Sequence, residues 1–152
     1  MISTETDAAR RMVIPAELRH LERLAAWTDE FARSAKLADN VLFAIQLCIE
    51  EAVANVIMYS GAAEQHQEVV VELVRAGSDV LAIIEDGGRS FDPTTVPPRR
   101  KPTSIEDAPI GELGVHLMRS FASDMRYERR DGRNRLILRF GSVLAVGREA
   151  AR

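Results

Sequence analysis

The chain has 152 residues, of which 46% are hydrophobic and 28% charged, and its formal net charge is −3. Those values describe one soluble globular domain long enough to bury a real core. The small negative charge gives no general attraction to nucleic acid or to an anionic membrane, and a single cysteine, Cys48, excludes an intrachain disulfide.

In chain order, residues 1 to about 9 are polar and are expected to form a disordered tail without the apolar run of a signal peptide. No stretch approaches the roughly 20 apolar residues of a membrane span, so a cytoplasmic protein is expected. Residues 11–15 (RMVIP) form a short apolar run ended by a proline, which suits an edge strand, where a missing N–H is tolerated. Over 16–36, Leu18, Leu21, Leu24, Ala25, Phe31 and Ala32 recur at helical spacing against a charged opposite side, which predicts a surface helix. Residues 41–60 (VLFAIQLCIEEAVANVIMYS) predict a long, largely buried helix, N-capped by Asp39 or its 38–40 neighbourhood and stopped by Ser60-Gly61. Cys48 lies on its apolar face as a small buried hydrophobe.

Segments 68–75 and 79–85 are rich in β-branched residues and flank Ala76-Gly77-Ser78, the signature of a β-hairpin. The irregular piece 86–109 holds five of the six prolines and the run Arg99-Arg100-Lys101, and a substrate lid is one reading of so long a loop. Helical periodicity returns over 111–121. Segments 125–130 and 135–140 flank Asp131-Gly132, a strong hairpin signal. Seven Arg fall between Arg119 and Arg139 against Asp124, Glu128 and Asp131, which reads as a solvated strand pair rather than a binding patch. The tail from residue 141 is expected to fray. The order β-α-α-β-β-loop-α-β-β implies an α+β fold with helices on one face of a largely antiparallel sheet.

Three places carry candidate chemistry. Between Leu47 and Tyr59 the hydrophilic side chains are Glu50, Glu51 and Asn55, and a spacing of four sets Glu51 and Asn55 on one helix face. An amide oxygen suits a hard cation such as Mg²⁺ and a glutamate suits a general base, while a polar stripe on a core helix is the plainer reading. The second place is Glu85-Asp86-Gly87-Gly88-Arg89-Ser90-Phe91-Asp92-Pro93, a strand-end acid followed by glycines, where a flat ligand can approach the backbone. The third is Gly111-Glu112-Leu113-Gly114 opening a helix, whose unpaired N–H groups can meet a phosphate. The chain has neither GxxxxGK[ST] nor GxGxxG, and His20 and His66 have no partner at zinc-ligand spacing.

Taken in order, ExxxN on a long buried helix, DGGRSFDP after a strand and GELGVHLMRSF opening a helix resemble the GHKL ATPase superfamily, and within it the small anti-sigma-factor serine/threonine kinases of the RsbW type. The resemblance covers roughly residues 10–140, including YERRDGRNRLILRF, with tails at 1–9 and 142–152 of a single domain. It implies a two-layer α/β sandwich of the Bergerat type, a mostly antiparallel mixed sheet with three helices on one face. It implies ATP and Mg²⁺ as cofactors, with Asn55 as the Mg²⁺ ligand, Glu51 as general base, Asp86 as the acid that recognises the adenine amino group, and Gly88 as the glycine beneath the base. Gly111, Gly114, Val115 and His116 match the phosphate-facing end of lid and helix, with His116 in a backbone or packing role. Ser90, Glu112 and Tyr59 stand where relatives commonly carry other residues.

The activity so implied is phosphorylation of a serine or threonine on an anti-anti-sigma (STAS) protein by a kinase that also sequesters a sigma factor. A homodimer is expected by the same resemblance, with the strand at 11–15 as a candidate for pairing. The alternative is a non-catalytic ATP-binding module that controls a partner by binding alone. The catalytic domain of a histidine kinase would need a histidine-bearing helix pair, for which about ten residues ahead of the first strand leave no room.

Overall fold

A computed structural model describes residues 9–95 and 112–141. The elements are β1 (Ala9–Pro15), a 3-10 turn (Leu18–His20), α1 (Leu21–Ser34), α2 (Asp39–Tyr59), β2 (Glu68–Ala76), β3 (Asp79–Asp86), a second 3-10 turn (Pro93–Thr95), α3 (Glu112–Phe121), β4 (Asp124–Arg130) and β5 (Arg133–Gly141). Their order is the one expected from periodicity. The basic run Arg99-Arg100-Lys101, most of the expected lid, Gly111 and the tails 1–8 and 142–152 lie outside the described residues, while Ala9 and Gly141, expected in the tails, are paired in β1 and β5.

The strands form one sheet in the order β1-β2-β3-β5-β4, and every adjacent pair is antiparallel. The antiparallel character goes further than expected, since no parallel pair makes the sheet mixed among the described residues. Two of its joints are two-residue hairpins, which permit only antiparallel pairing. Asp131 and Gly132 carry φ of 53° and 74°, the left-handed pair that a type I′ turn requires.

Alternation along the strands sends Val69, Val71 and Leu73 of β2, Ala82 and Ile84 of β3, and Leu136 and Leu138 of β5 to one face, where they join Ile45, Ile49 and Val53 of α2 in one core. Helix α2 is the centre of the second layer, packed between α1 and α3 and on β3. By length and composition alone its 21 residues suffice to cross a membrane, which qualifies the sequence expectation. Here that apolarity is used in the core, with Ile45, Cys48, Ile49 and Val53 essentially inaccessible.

The N-cap of α2 falls within the expected 38–40 stretch, at Ala38, which makes no side-chain capping bond. Asp39 sits one place inside, where a carboxylate still complements the partial positive charge of the helix start. The expected helix over 16–36 begins as a 3-10 turn and ends at Ser34, with Lys36 at φ 55° turning the chain into α2. The stop at Ser60-Gly61 is as expected: Gly61 has φ 76° and the Ser60 hydroxyl donates to the Val56 carbonyl at 2.6 Å. On the basic hairpin, Arg139 pairs with Asp79 at 2.9 Å and Arg135 with Glu85 at 3.4 Å, both partly exposed contacts that contribute little stability.

Candidate nucleotide site

A narrow cleft lies between α2 and the inner face of the sheet. Asn55 and Ser60 of α2, Asp86 at the end of β3, Tyr127 and Asn134 of the β4–β5 hairpin, Phe91 and Pro93 of the glycine loop and Met118 of α3 line it, with Ala52, Val56, Ile84 and Leu136 as apolar walls. Such a mostly apolar slot with a few polar groups is the usual form of a small-molecule site.

Of the residues singled out in the sequence, Asn55 and Asp86 are brought together on these walls. Asn55 is only 5% exposed, and its Nδ2 is buried without a hydrogen-bond partner among the described residues. A buried amide left unpaired costs about 1–3 kcal/mol, so the position makes physical sense if something else completes it. Asp86 is 1% exposed. Its Oδ2 accepts from the Gly88 N–H at 2.9 Å and from Asn134 Nδ2 at 3.1 Å, whereas Oδ1 accepts no hydrogen bond among the described residues.

Gly88 is explained by packing. A Cβ there would overlap the Ser60 carbonyl and side chain, so the glycine lets the loop lie directly on the end of α2. The Arg89 N–H seals that contact by donating to the Ser60 carbonyl at 2.6 Å. Tyr59, at the same helix end, stacks on Phe91 with centroids 6.0 Å apart.

Glu51 stands one turn before Asn55 and is half-buried. It meets α3 rather than the cleft wall, since a Cβ on Gly114 would lie 2.5 Å from Glu51 Oε2. Burial, and secondly the charge of Glu50, push its carboxyl above the ordinary glutamate value of 4.5. Cys48, one turn earlier, is pushed up to about 12 by burial and by the Glu51 charge, so its thiol stays protonated and inert. Val115 is fully buried in the core, so only its main chain can face a ligand, and His116 is half-buried. Gly111 lies outside the described residues.

Sequence reasoning missed Asn134, Tyr127, Ser60 and Arg129. One signal was present: in RNRLILRF the alternation that sends Leu136, Leu138 and Phe140 inward also sends Asn134 inward, a polar residue at a core position.

A long buried helix carrying Glu51 and Asn55 over a sheet, with an acid and a tightly packed glycine at a strand end, defines an ATPase domain of the histidine-kinase type. A family model described as a histidine kinase-like ATPase domain matches residues 14–140, and the chain belongs to that family. It is 31% identical over 114 residues to the serine/threonine-protein kinase BtrW of Bordetella bronchiseptica, covering 74% of this chain and 79% of that protein. It is also similar to the crystal structure of the RsbU and RsbW domains of Rv1364c from Mycobacterium tuberculosis, with a TM-score of 0.65 at 16% identity over 88% of this chain. This chain spans 32% of that one, and the likeness is one of fold.

Proposed function

We propose that this protein is an ATP- and Mg²⁺-dependent serine/threonine protein kinase that acts as an anti-sigma regulatory factor in partner switching. In this reading it holds a sigma factor or similar regulator and phosphorylates a serine or threonine of a small anti-anti-sigma (STAS) protein, as a cytoplasmic homodimer. The observation that carries the reading is a pair of uncommitted polar atoms on residues lining one cleft: Asn55 Nδ2, a donor suited to a phosphate oxygen, and Asp86 Oδ1, an acceptor. Membership of the ATPase family and the likeness to a named serine/threonine kinase support it.

The residues present fit the two cofactors. Asp86 Oδ1 would accept from the exocyclic amino group of adenine, with Gly88 beneath the ring and Val56, Ile84 and Leu136 as apolar walls. The Asn55 amide oxygen would bind Mg²⁺, a cation that keeps most of its coordination for water and phosphate. The main chain of Gly114, Val115 and His116 would face phosphate near the α3 N-terminus, and the expected role of Gly111 falls outside the described residues. When bound, Mg·ATP supplies the phosphoryl group and the counter-charge that steadies it.

Glu51 would take the proton from the incoming hydroxyl. A carboxylate with raised proton affinity is a better base near neutral pH than an ordinary one. Gly114 leaves the space that its Oε2 occupies against α3.

The test is isothermal titration with ATP and Mg²⁺ beside Asp86→Asn and Asn55→Ala, followed by assay of phosphate transfer to a STAS protein. Binding lost in Asp86→Asn, and no longer Mg²⁺-dependent in Asn55→Ala, is expected. Absence of binding by the wild-type chain at millimolar ATP overturns the reading. Binding without transfer to any serine or threonine leaves the alternative, a module that acts by binding alone.

A further inference from the structure

Asn134 has no assigned role, yet its side chain is the most heavily bonded in the cleft. It is 5% exposed and lies directly opposite Asp86 in the β3–β5 register. Its Nδ2 donates to Asp86 Oδ2 at 3.1 Å and to the Arg89 carbonyl at 2.7 Å. Its Oδ1 accepts from Tyr127 Oη at 2.5 Å, Arg129 Nη1 at 2.8 Å and, more weakly, the Phe91 N–H at 3.4 Å. The orientation of the amide is therefore settled by chemistry: every neighbour of Nδ2 is an acceptor, and Arg129 and the Phe91 N–H on the other side can only donate.

We infer that Asn134 is a positioning residue that sets base specificity, by occupying one oxygen of Asp86 and leaving Oδ1 as the single acceptor for a ligand amino group. The inference rests on the nucleotide reading above. With Gly88 N–H and Asn134 both on Oδ2, that oxygen is filled and the carboxylate cannot rotate without breaking both bonds. A fixed, lone acceptor favours a purine with a 6-amino group and rejects a 6-oxo purine, whose carbonyl would meet the carboxylate acceptor to acceptor. The same amide holds the glycine loop in place through Arg89 and Phe91, assisted by Arg129, which also donates to the Gly88 carbonyl at 3.1 Å. Tyr127 shares in this through its hydroxyl, 3.2 Å from Ser90 Oγ. Asn134 thus couples the seat of the base to the basic hairpin.

The chemistry is specific to an amide. Asn134→Asp sets a second carboxylate against Asp86 and against the Arg89 carbonyl. Among the described residues, the charged or titratable side chains facing position 134 are Asp86 from β3 and Tyr127 and Arg129 from β4, while α2 contributes the neutral Asn55 and Ser60 to the cleft. Arg129 balances one of the two carboxylate charges, so a proton is taken up to balance the other as pH falls. A protonated Asp at 134 restores a donor to Asp86 Oδ2. Asn134→Leu has no such recourse.

The experiment titrates wild type, Asn134→Asp and Asn134→Leu with ATP and with inosine triphosphate, in mildly alkaline and mildly acid buffer, after circular dichroism confirms folding. Wild type is expected to prefer ATP by about ten- to a hundredfold, the usual worth of a hydrogen bond to a charged group, at both pH values. Asn134→Asp is expected to lose most of that preference in alkali and regain part of it in acid, and Asn134→Leu to lose it throughout. Wild-type binding with the same ATP preference in both folded variants overturns the inference and leaves the nucleotide site standing. Failure of the wild type to bind either nucleotide overturns both. Should the variants not fold, NMR of the wild-type Asn134 side-chain amide decides. Two exchange-protected signals that shift with ATP but not with inosine triphosphate are expected, and an unprotected or unresponsive amide refutes the role.

Discussion

Glu51 is a carboxylate that the fold makes costly to ionise, because its burial and the neighbouring Glu50 both disfavour a second negative charge on α2. The sign of the consequence follows from linkage. With the folded-state pKa raised above 4.5, the folded chain binds this proton more tightly than the unfolded chain, so the contribution is present below that value and is lost as pH rises through the raised one. Above the ordinary glutamate range this carboxyl therefore works against stability. Glu51→Gln is expected to unfold at a higher temperature than wild type at neutral pH, with the advantage shrinking below the ordinary glutamate range. The same substitution should cut phosphate transfer by about 10²- to 10⁴-fold, the usual share of a general base, while ATP titration stays near wild type. Thermal melts across pH paired with a transfer assay check both, and a variant that melts lower and transfers normally would remove Glu51 from the mechanism.

At the scale of elements, the two glycines that matter do so for different reasons, and their alanine variants should separate them. A methyl on Gly88 meets the main chain and side chain of Ser60, which cannot move without unwinding the end of α2. A loss of about 1–3 kcal/mol, typical of overpacking, is expected together with lost nucleotide binding. A methyl on Gly114 meets mainly the tip of Glu51, a flexible side chain that can swing away. That variant should hold its fold and its KM for ATP but lose kcat, and urea unfolding beside steady-state kinetics distinguishes the two. This contrast also shows what the sequence made legible. The elements were readable because periods of 2 and 3.6 are local, and Glu51 and Asn55 stood out as polar residues on an otherwise apolar helix. Asp86 was readable as an acid closing a strand. The contact of Gly114 with Glu51 depends on how α3 packs on α2, and the bond from Asn134 to Asp86 depends on the β3–β5 register. Neither is written in any local pattern, so the sequence alone points Gly114 to phosphate and gives Asn134 no partner.

At the scale of the molecule, three helices cover one face of the sheet, and the other face has no described element on it. That face carries Val13, Val70, Val74, Leu81, Ile83 and Ile137, interrupted by Glu72 opposite Ile83 and bordered by Arg11, Asp79, Glu85, Arg135 and Arg139. Val70 and Ile83 are buried, yet they lie outside the main core cluster. A central apolar strip with both signs of charge around it suits an isologous contact, in which the same patch meets itself across a two-fold axis. The strand edge at β1 is a poorer candidate than the sequence suggested, because Arg10, Arg11 and Pro15 are the kind of residues that discourage edge pairing. The proposed homodimer should therefore use the face. Leu81→Arg puts a charge into the strip beside Val74 and Ile83, at a half-buried position where the cost to the monomer fold is small. Sedimentation equilibrium is expected to give a dimer for wild type and a monomer for Leu81→Arg, with similar melting temperatures. A variant of β1, Arg11→Glu, should leave association nearly unchanged. If Arg11→Glu dissociates the dimer and Leu81→Arg does not, the contact runs through the edge; if wild type is monomeric at every concentration reached, the dimer is absent and the apolar strip serves the monomer or another partner.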